Sequence, residues 1–184
     1  MARLTIPRDV YYGEDAIENL SVLKGHKKAF VVTGTNFMID NGYLEKVKNL
    51  LHDNGMEVKV FDKVESNPLI STVYRGAEQM CEWEPDVIVS LGGGSPTDSA
   101  KAMWIFYENP ELKFDDIKTP YSLPKQSWST TCRLSSMETP AMANVSALAV
   151  LTDTGISSTR SAPHRSAISA RRCLGSRAGV PLCT

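Results

Sequence analysis

The sequence is poor in the residues that bind metal ions or form disulfides. Its 184 residues include four cysteines and three histidines. The cysteines show no Cys-x-x-Cys spacing, which argues against a zinc knuckle or a disulfide framework. No two histidines are three or four residues apart, the spacing that a helical metal site requires. The residues concerned are Cys81, Cys132, Cys173, Cys183, His26, His52 and His164. We therefore expect reduced thiols and assign no metal ligands.

The sequence also lacks long apolar runs and any excess of charge of one sign. It contains no run of eighteen apolar residues, so we expect no membrane partner. The net charge of −1 gives no reason to expect nucleic acid as a partner. The stretch from Met1 to Pro7 lacks the apolar core of a signal peptide, which predicts a cytoplasmic chain. The length suits one domain with a sizeable core.

The carboxyl-terminal third loses several residue types in turn. The last lysine is Lys125, the last aromatic residue is Trp128, and the last acidic residue is Asp153. More than fifty residues follow Trp128; they are rich in Ser, Ala and Arg and include no aromatic residue. Such a segment buries little apolar area. The composition predicts two parts: an α/β domain over residues 1–125 and an atypical tail over 126–184, which we expect to be disordered.

Within residues 1–125, strand and helix patterns alternate. β-branched apolar runs predict buried strands, and apolar residues at helical spacing predict helices between them. The strands are Lys28–Thr33, Glu57–Phe61 and 85–90, with an edge strand within 3–12, and the helices are Asp15–Leu23, Tyr43–Asp53, Leu69–Trp83 and Ala100–Tyr107. The alternation predicts a doubly wound, Rossmann-like parallel sheet with ligand sites at the carboxyl ends of its strands. Gly34, Asn67 and the stretch 92–95 fall at or near those ends.

The stretch from Leu91 to Lys101 is the most informative. It reads Leu-Gly-Gly-Gly-Ser-Pro-Thr-Asp-Ser-Ala-Lys and joins a predicted strand to a predicted helix. Glycines let a ligand approach the backbone closely, Ser95 is a candidate N-cap, and Pro96 suits the first helical position. The free N–H groups of that helix favour phosphate, so the pattern predicts a diphosphate cradle. A tight turn without a ligand is the alternative.

The string Gly-Gly-Gly-Ser-x-x-Asp-x-Ala-Lys resembles the iron-containing (group III) alcohol dehydrogenase family. The run from Lys101 to Glu111 is similar to the alcohol and butanol dehydrogenase branch of that family. The resemblance extends to about Pro124 and returns between Asn144 and Asp153, in a stretch like one of the domain's last strands. It implies a nicotinamide dinucleotide, NAD or NADP, as cofactor and a small alcohol or aldehyde as substrate. A homo-oligomer is compatible with this reading.

The resemblance also implies a set of cofactor-binding residues. Gly93, Gly94 and Ser95 correspond to the family residues that hold the pyrophosphate, and Pro96 and Thr97 belong to the same motif. Asp98 corresponds to an aspartate near the nicotinamide ribose and the substrate; alternatively, it only complements the helix dipole. Asn67 corresponds to a position on the adenosine side; alternatively, it only initiates an Asn-Pro turn.

Gly34 bears on the choice between the two dinucleotides. Family members that prefer NAD often place an aspartate after the first strand, where it accepts hydrogen bonds from the ribose. Here Val32-Thr33-Gly34-Thr35 carries no carboxylate. A carboxylate repels a 2′-phosphate and glycine leaves room for one, so we predict that NADP(H) is accepted. Asp40 is a second candidate for the missing carboxylate, because the alignment there needs an extra residue.

By resemblance, the family binds divalent iron or zinc in an all-helical carboxyl-terminal domain. We expect this chain to be truncated before that domain, so no metal ligand or catalytic residue is carried over to it. The resemblance therefore implies the cofactor-binding part of a metal-dependent alcohol dehydrogenase, inactive alone. The alternatives are a dinucleotide-binding module without catalysis, a subunit completed by another polypeptide, or a product without function.

A shift of reading frame explains the break in the resemblance. With suitable codons, the stretch from Ile156 to Ser161 rereads as Ile-Lys-Tyr-Pro-Leu, a string typical of the family at that place. The stretch from Ala170 to Leu174 rereads as Pro-Asp-Val-Ala-Leu at a different offset, so two shifts are needed. We hypothesise that the tail is translated out of frame. Codons incompatible with these rereadings would exclude the idea.

Overall fold

The computed structural model describes residues 9–12, 15–34, 36–117, 130–135 and 146–151. Within them, six strands form one sheet flanked by four α-helices and two 3₁₀ segments. The strands are β1 (Asp9–Tyr12), β2 (Lys28–Thr33), β3 (Glu57–Phe61), β4 (Val87–Gly92), β5 (Thr130–Ser135) and β6 (Ser146–Leu151). The helices are α1 (Phe37–Asp40), α2 (Tyr43–Asp53), α3 (Ile70–Trp83) and α4 (Gly94–Glu108), and the 3₁₀ segments are Ala16–Leu23 and Phe114–Ile117.

Three neighbouring strands form the parallel part of the sheet. β2 pairs in parallel with β3 on one side and with β4 on the other, so that Val31 lies opposite both Val60 and Val89. The predicted parallel α/β arrangement is confirmed for these strands, and the bounds of β2 and β3 are those predicted. Parallel strands require a crossover between them, which α2 and α3 provide.

The sheet as a whole is mixed, because β6, which lies outside the predicted domain of residues 1–125, adds antiparallel pairing to the parallel part. The strand order is β1-β5-β6-β4-β2-β3. β6 pairs antiparallel with both β4 and β5, and β1 pairs in parallel with β5 at the edge of the sheet. Ten residues, 136–145, separate β5 from β6, and a parallel crossover needs a dozen or more. The short connection therefore favours antiparallel pairing.

Two apolar layers cover the two faces of the sheet, as a doubly wound fold requires. On β2, Ala29 and Val31 pack into one layer and Phe30 and Val32 into the other, because side chains alternate along a strand. The first layer includes α2 and the 3₁₀ segment Ala16–Leu23; the second includes α3 and α4. Each fully buried large apolar side chain stabilises the fold by roughly 1.5–3 kcal/mol.

Helix α4 buries a wider face than its sequence predicts. Met103 and Phe106 are buried as expected, whereas Ala102 and Ile105 are only partly buried. Trp104 and Tyr107 complete the face, and their ring centroids are 5.2 Å apart. Aromatic residues carry large apolar surfaces, so α4 is anchored along most of its length. Such anchoring fixes the position of its first turn at the edge of the sheet.

Parts of the sequence-based interpretation lie outside the described residues. The predicted boundary at residue 125 falls between Ile117 and Thr130, and most of the predicted tail is likewise not described. The tail nevertheless contributes β5 and β6 to the sheet. Among the helices that are described, none combines the length and apolar character needed to cross a bilayer.

Candidate functional site

The carboxyl ends of β2, β3 and β4 meet at one edge of the sheet. Thr33, the last residue of β2, is buried and donates a hydrogen bond from Oγ1 to the carbonyl oxygen of Leu91 at 2.9 Å. The N–H of Val64, on the loop after β3, donates to the carbonyl oxygen of Thr33 at 3.4 Å. These contacts bring Gly34, the loop after β3 and the glycine turn after β4 to the same edge, as predicted.

Gly92 makes the turn from β4 into α4. Its φ is +136°, a backbone conformation that residues with a side chain rarely adopt. A Cβ atom at this position would lie 3.0 Å from Cγ of Pro96. Glycine is therefore required here both by the backbone angle and by the close approach of the first turn of α4.

The N-cap of helix α4 lies two residues before the predicted one. Gly93 occupies the N-cap position with φ −81°, and Gly94 is the first helical residue. The prediction of Ser95 as N-cap and Pro96 as first helical residue was therefore wrong: they are the second and third. Glycine is tolerated at an N-cap and has no side chain with which to cap the helix. The N–H groups of the first turn thus remain available for another acceptor.

Open space adjoins Gly93 and Gly94. A Cβ atom built on either residue would meet no heavy atom of the described residues within 4 Å. Internal packing does not explain glycine at these two positions, in contrast to Gly92. Backbone N–H groups at a helix start, beside open space and at the positive end of the helix dipole, form an anion-binding arrangement.

Gly34 lies against the same helix. A Cβ atom on Gly34 would be 3.1 Å from Cγ of Pro96 and 3.1 Å from the carbonyl oxygen of Val64. Pro96 is buried and contacts the turn from two sides, near Gly34 and near Gly92. The structure therefore brings together Gly34, the three glycines and Pro96.

Two hydroxyl groups lie behind the glycine turn. Thr97 Oγ1 donates a hydrogen bond to the carbonyl oxygen of Gly93 at 2.9 Å. Ser90, buried in β4, donates from Oγ to Thr97 Oγ1 at 3.2 Å. The sequence-based prediction included Thr97 and missed Ser90, although Ser90 is the one polar residue between Val87 and Leu91.

Asp98 and Asn67 are both exposed. Asp98 is on the exposed side of α4, with its side chain 74% exposed and its carboxylate 3.4 Å from Nζ of Lys101. Asn67 is exposed and lies three residues beyond Val64, with a left-handed φ of +56°. Asn tolerates this conformation better than most residues, which suits a tight loop. Both side chains are accessible from solvent.

Glu65 secures the loop that carries Asn67. Its Oε1 accepts hydrogen bonds from the N–H of Leu69 at 3.1 Å and from Oγ1 of Thr72 at 2.8 Å. Hydrogen bonds from its own N–H, from Leu69 and from Thr72 hold the pKa of the Glu65 carboxyl below its ordinary value, and the charge of Arg75 adds to the effect. The sequence-based prediction missed Glu65, because a carboxylate next to an Asn-Pro turn has no distinctive pattern.

The described residues do not fit a metal ion. Within ranges 9–12, 15–34, 36–117, 130–135 and 146–151, no three His, Cys, Asp or Glu side chains come together as a ligand set. His164 and the cysteines Cys173 and Cys183 lie outside these ranges. The site at the carboxyl edge is thus built from glycines, hydroxyl groups and backbone N–H groups.

Known proteins are similar to most of this chain. A family model described as iron-containing alcohol dehydrogenase matches residues 7–168. The chain is 52% identical over 125 residues to the NADPH-dependent butanol dehydrogenase of Clostridium saccharobutylicum, covering 68% of this chain and 32% of that protein. It is 37% identical over 131 residues to the bifunctional aldehyde-alcohol dehydrogenase of Escherichia coli, covering 65% and 15%. The chain thus spans about a third or less of the length of these relatives.

Solved structures show the same similarity. An iron-containing alcohol dehydrogenase of Thermotoga maritima aligns with a TM-score of 0.61 at 29% identity, over 75% of this chain and 43% of that chain. An archaeal alcohol dehydrogenase from a Red Sea brine pool aligns with a TM-score of 0.55 at 32% identity, over 59% and 28%. The described sheet and helices therefore correspond to part of a larger fold in these proteins.

Proposed function

This chain belongs to the iron-containing alcohol dehydrogenase family, and from that membership we propose that it binds a nicotinamide dinucleotide at the turn formed by Gly92, Gly93 and Gly94. The observation that carries the proposal is the open space beside Gly93 and Gly94, where a Cβ atom would meet no described atom within 4 Å. Glycine at both positions is explained by a ligand that approaches the backbone closely. The chain is then the cofactor-binding part of an alcohol dehydrogenase.

The first turn of α4 is suited to the diphosphate of the cofactor. The N–H groups of Gly94 and Ser95 are at the start of the helix, where they lack partners within the helix. They donate to the phosphate oxygens, and the helix dipole adds a favourable electrostatic interaction. Ser95, which is half-buried, adds a hydroxyl donor at the same level. When bound, the nicotinamide ring supplies the acceptor or donor of a hydride.

Asp98 and Asn67 are proposed to contact the two ends of the dinucleotide. Asp98 is four residues beyond the turn on α4, with an exposed carboxylate suited to accept hydrogen bonds from a ribose. Asn67 lies on the loop whose Val64 contacts the end of β2 and Gly34. Its amide offers both a donor and an acceptor. We expect replacement of either side chain to weaken binding less than a change at the glycines.

We propose NADP(H) as the preferred form of the cofactor. Gly34 follows β2 and carries no carboxylate, so nothing at this position repels a 2′-phosphate. The butanol dehydrogenase that shares 52% identity with the chain is named as NADPH-dependent, which supports the proposal. Calorimetric titration of the 184-residue chain with NADPH and with NADH tests it. Tighter binding of NADPH is expected, and a strong preference for NADH would contradict it.

The same titration tests the binding function itself. Heat of binding and a raised melting temperature with either dinucleotide are expected, because a ligand that binds only the folded state stabilises it. If neither dinucleotide changes the heat or the melting temperature of the folded chain, the proposal fails. Adenosine alone is a suitable control, because it lacks the diphosphate that the glycine turn is proposed to hold.

The second candidate function is cofactor binding without turnover. It is favoured because the described site consists of glycines, hydroxyl groups and backbone N–H groups, which suit the binding of a diphosphate. No described side chain is assigned a part in activating the alcohol. An assay with a simple alcohol, NADP⁺ and ferrous or zinc ion distinguishes the two candidates. Appreciable turnover by the chain alone would exclude this second one.

A cytoplasmic location, homo-oligomer formation and the absence of nucleic acid and membrane partners remain predictions from the sequence. Small alcohols and aldehydes remain the proposed substrate class. Size-exclusion chromatography with light scattering measures the oligomeric state directly. Co-sedimentation with anionic vesicles tests for a membrane partner, and a gel-shift assay with duplex DNA tests for a nucleic acid partner. Binding in either assay would contradict the corresponding prediction.

A further inference from the structure

Two hydroxyl groups connect the strand before the glycine turn to the helix after it. Ser90 is fully buried in β4, and its Oγ donates to Thr97 Oγ1 in α4 at 3.2 Å. Thr97 Oγ1 donates in turn to the carbonyl oxygen of Gly93 at 2.9 Å. The two hydrogen bonds therefore span the turn and end on the peptide group that joins Gly93 to Gly94.

The position of this carbonyl decides where the next N–H points. The C=O and N–H of a trans peptide point in opposite directions. Because Thr97 holds the carbonyl of Gly93 on the helix side, the N–H of Gly94 points away from α4. The open space beside Gly93 and Gly94 is where an anion would accept a hydrogen bond from that N–H.

The first backbone hydrogen bond of α4 also ends on the Gly93 carbonyl, and the two hydroxyl groups add to that restraint. Glycine on both sides allows a wide range of backbone angles, and ordering such a group on binding lowers affinity. A hydrogen bond already formed in the free protein removes part of that cost. The buried donor behind Thr97 also holds the Thr97 hydroxyl in the orientation that reaches Gly93.

We propose that Ser90 and Thr97 are positioning residues that preorganise the Gly93–Gly94 peptide for the diphosphate. The proposal rests on the proposed cofactor binding and deepens it. It assigns Thr97 an action through Gly93, where the sequence predicts a contact with the cofactor. It also assigns a function to Ser90, which the sequence-based prediction missed.

Ser99 supplies a matched control on the same helix. It is 1% exposed, and its Oγ has no hydrogen-bond partner among the residues that the structure describes. Ser99→Ala therefore removes a buried hydroxyl from α4 without removing a contact to the turn. Thr97→Val removes the Thr97 hydroxyl at constant shape, and Thr97→Ser keeps it.

The test is calorimetric titration of the 184-residue chain and its variants with NADPH and with adenosine 2′-monophosphate, which lacks the diphosphate. Thr97→Val is expected to weaken NADPH binding about three- to tenfold, the range of one hydrogen bond, and to leave adenosine 2′-monophosphate binding unchanged. Thr97→Ser and Ser99→Ala are expected to bind NADPH as the parent chain does. Ser90→Ala is expected to weaken NADPH binding, and to add nothing when combined with Thr97→Val.

Several results would overturn the proposal. One is that Thr97→Val binds NADPH as tightly as the parent chain, and another is that Thr97→Ser does not restore the affinity. A third is that Thr97→Val loses affinity for NADPH and for adenosine 2′-monophosphate by the same factor. Additive losses from Ser90→Ala and Thr97→Val would also contradict it, because residues that act in one chain of hydrogen bonds are not independent. If the parent chain itself fails to bind NADPH, the proposed cofactor binding is wrong. The two failures are therefore distinguishable.

Discussion

Gly34 and Pro96 approach each other so closely that a Cβ atom on residue 34 would lie 3.1 Å from Cγ of Pro96. The same Cβ would lie 3.1 Å from the carbonyl oxygen of Val64. Glycine after β2 therefore has a packing role beside α4, in addition to lacking the carboxylate whose absence supports the proposed preference for NADP(H). The two roles make different predictions for substitutions at this position.

Gly34→Asp is expected to lower the affinity for NADPH relative to NADH about 10- to 100-fold, because a carboxylate repels the 2′-phosphate. Gly34→Ala is the matched control, since it adds the Cβ without the charge. It is expected either to weaken the binding of both dinucleotides by the same factor or to leave the binding of both unchanged. Calorimetric titration with each dinucleotide measures the ratio. A ratio that changes equally in the two variants would show that packing, and not charge, decides the preference.

Gly94→Ala is expected to weaken dinucleotide binding about tenfold or more while leaving the fold intact. The added methyl group extends into open space in the free protein, so it makes no clash with described residues. In a helix, alanine is favoured over glycine by up to about 1 kcal/mol, so the melting temperature is expected to stay level or rise. Thermal unfolding followed by circular dichroism and a titration with NADPH check both parts. Unchanged affinity would argue against a ligand at this turn.

Glu65→Gln is expected to lower the stability of the chain near neutral pH and to have less effect in acid. The folded pKa of Glu65 lies below its ordinary value of 4.5, so its contribution is present above that value and is lost as the pH falls through the folded pKa. Glutamine keeps an oxygen acceptor for Leu69 and Thr72 and removes only the charge. Melting temperatures at about pH 7 and about pH 3 give the comparison. A difference in melting temperature between the parent chain and Glu65→Gln that is larger at the acid pH would contradict a stabilising role for the Glu65 charge.

Gly76→Ala is expected to destabilise the chain by about 1–3 kcal/mol, because α3 and α4 approach closely at this point. A Cβ atom on Gly76 would clash with the side chain of Met103, which is fully buried. Combining Gly76→Ala with Met103→Ala tests the cause, since the smaller side chain relieves the clash. The double variant is expected to lose less stability than the sum of the two single losses. Urea unfolding of the four proteins measures the coupling, and additivity would exclude this contact as the cause.

Local patterns in the sequence were enough to place the parallel strands and most helices. β2 has the predicted bounds because it is a short apolar run ending before Gly34, and β3 because it alternates apolar and polar residues after Asn54 and Gly55. α2 ends at Asp53, before the predicted stop at Asn54 and Gly55, and Gly55 has a φ of +82°. Such signals act over a few residues and need no tertiary contact.

The start of α4 and the hydroxyl groups behind it depend on tertiary contacts. Three successive glycines give no preference for the first helical residue, and only N-cap propensity favours Ser95. The packing of Pro96 against Gly34 and Gly92 instead accompanies a helix that begins at Gly94. The pairing of Ser90 with Thr97 crosses from a strand to a helix, so no local period reports it.

The stretch from Asn144 to Asp153, which resembles one of the family's strands, contains β6, but its antiparallel pairing with β4 was beyond local patterns. Pairing direction depends on strands that are distant in the sequence. The predicted site residues are distributed around one edge of the sheet, as the parallel topology requires. Their contacts with a cofactor remain predictions.

The position of β6 between β4 and β5 has a consequence for any shortened version of this chain. A fragment that stops at residue 125 would lack β6, so the backbone N–H and C=O groups along one side of β4 would be unpaired. β4 is the strand that leads into the glycine turn. The fragment would also leave β1 with no neighbour. Exposed rows of this kind recruit strands from other molecules, so such a fragment is expected to self-associate. Solubility trials should therefore keep the chain through Leu151.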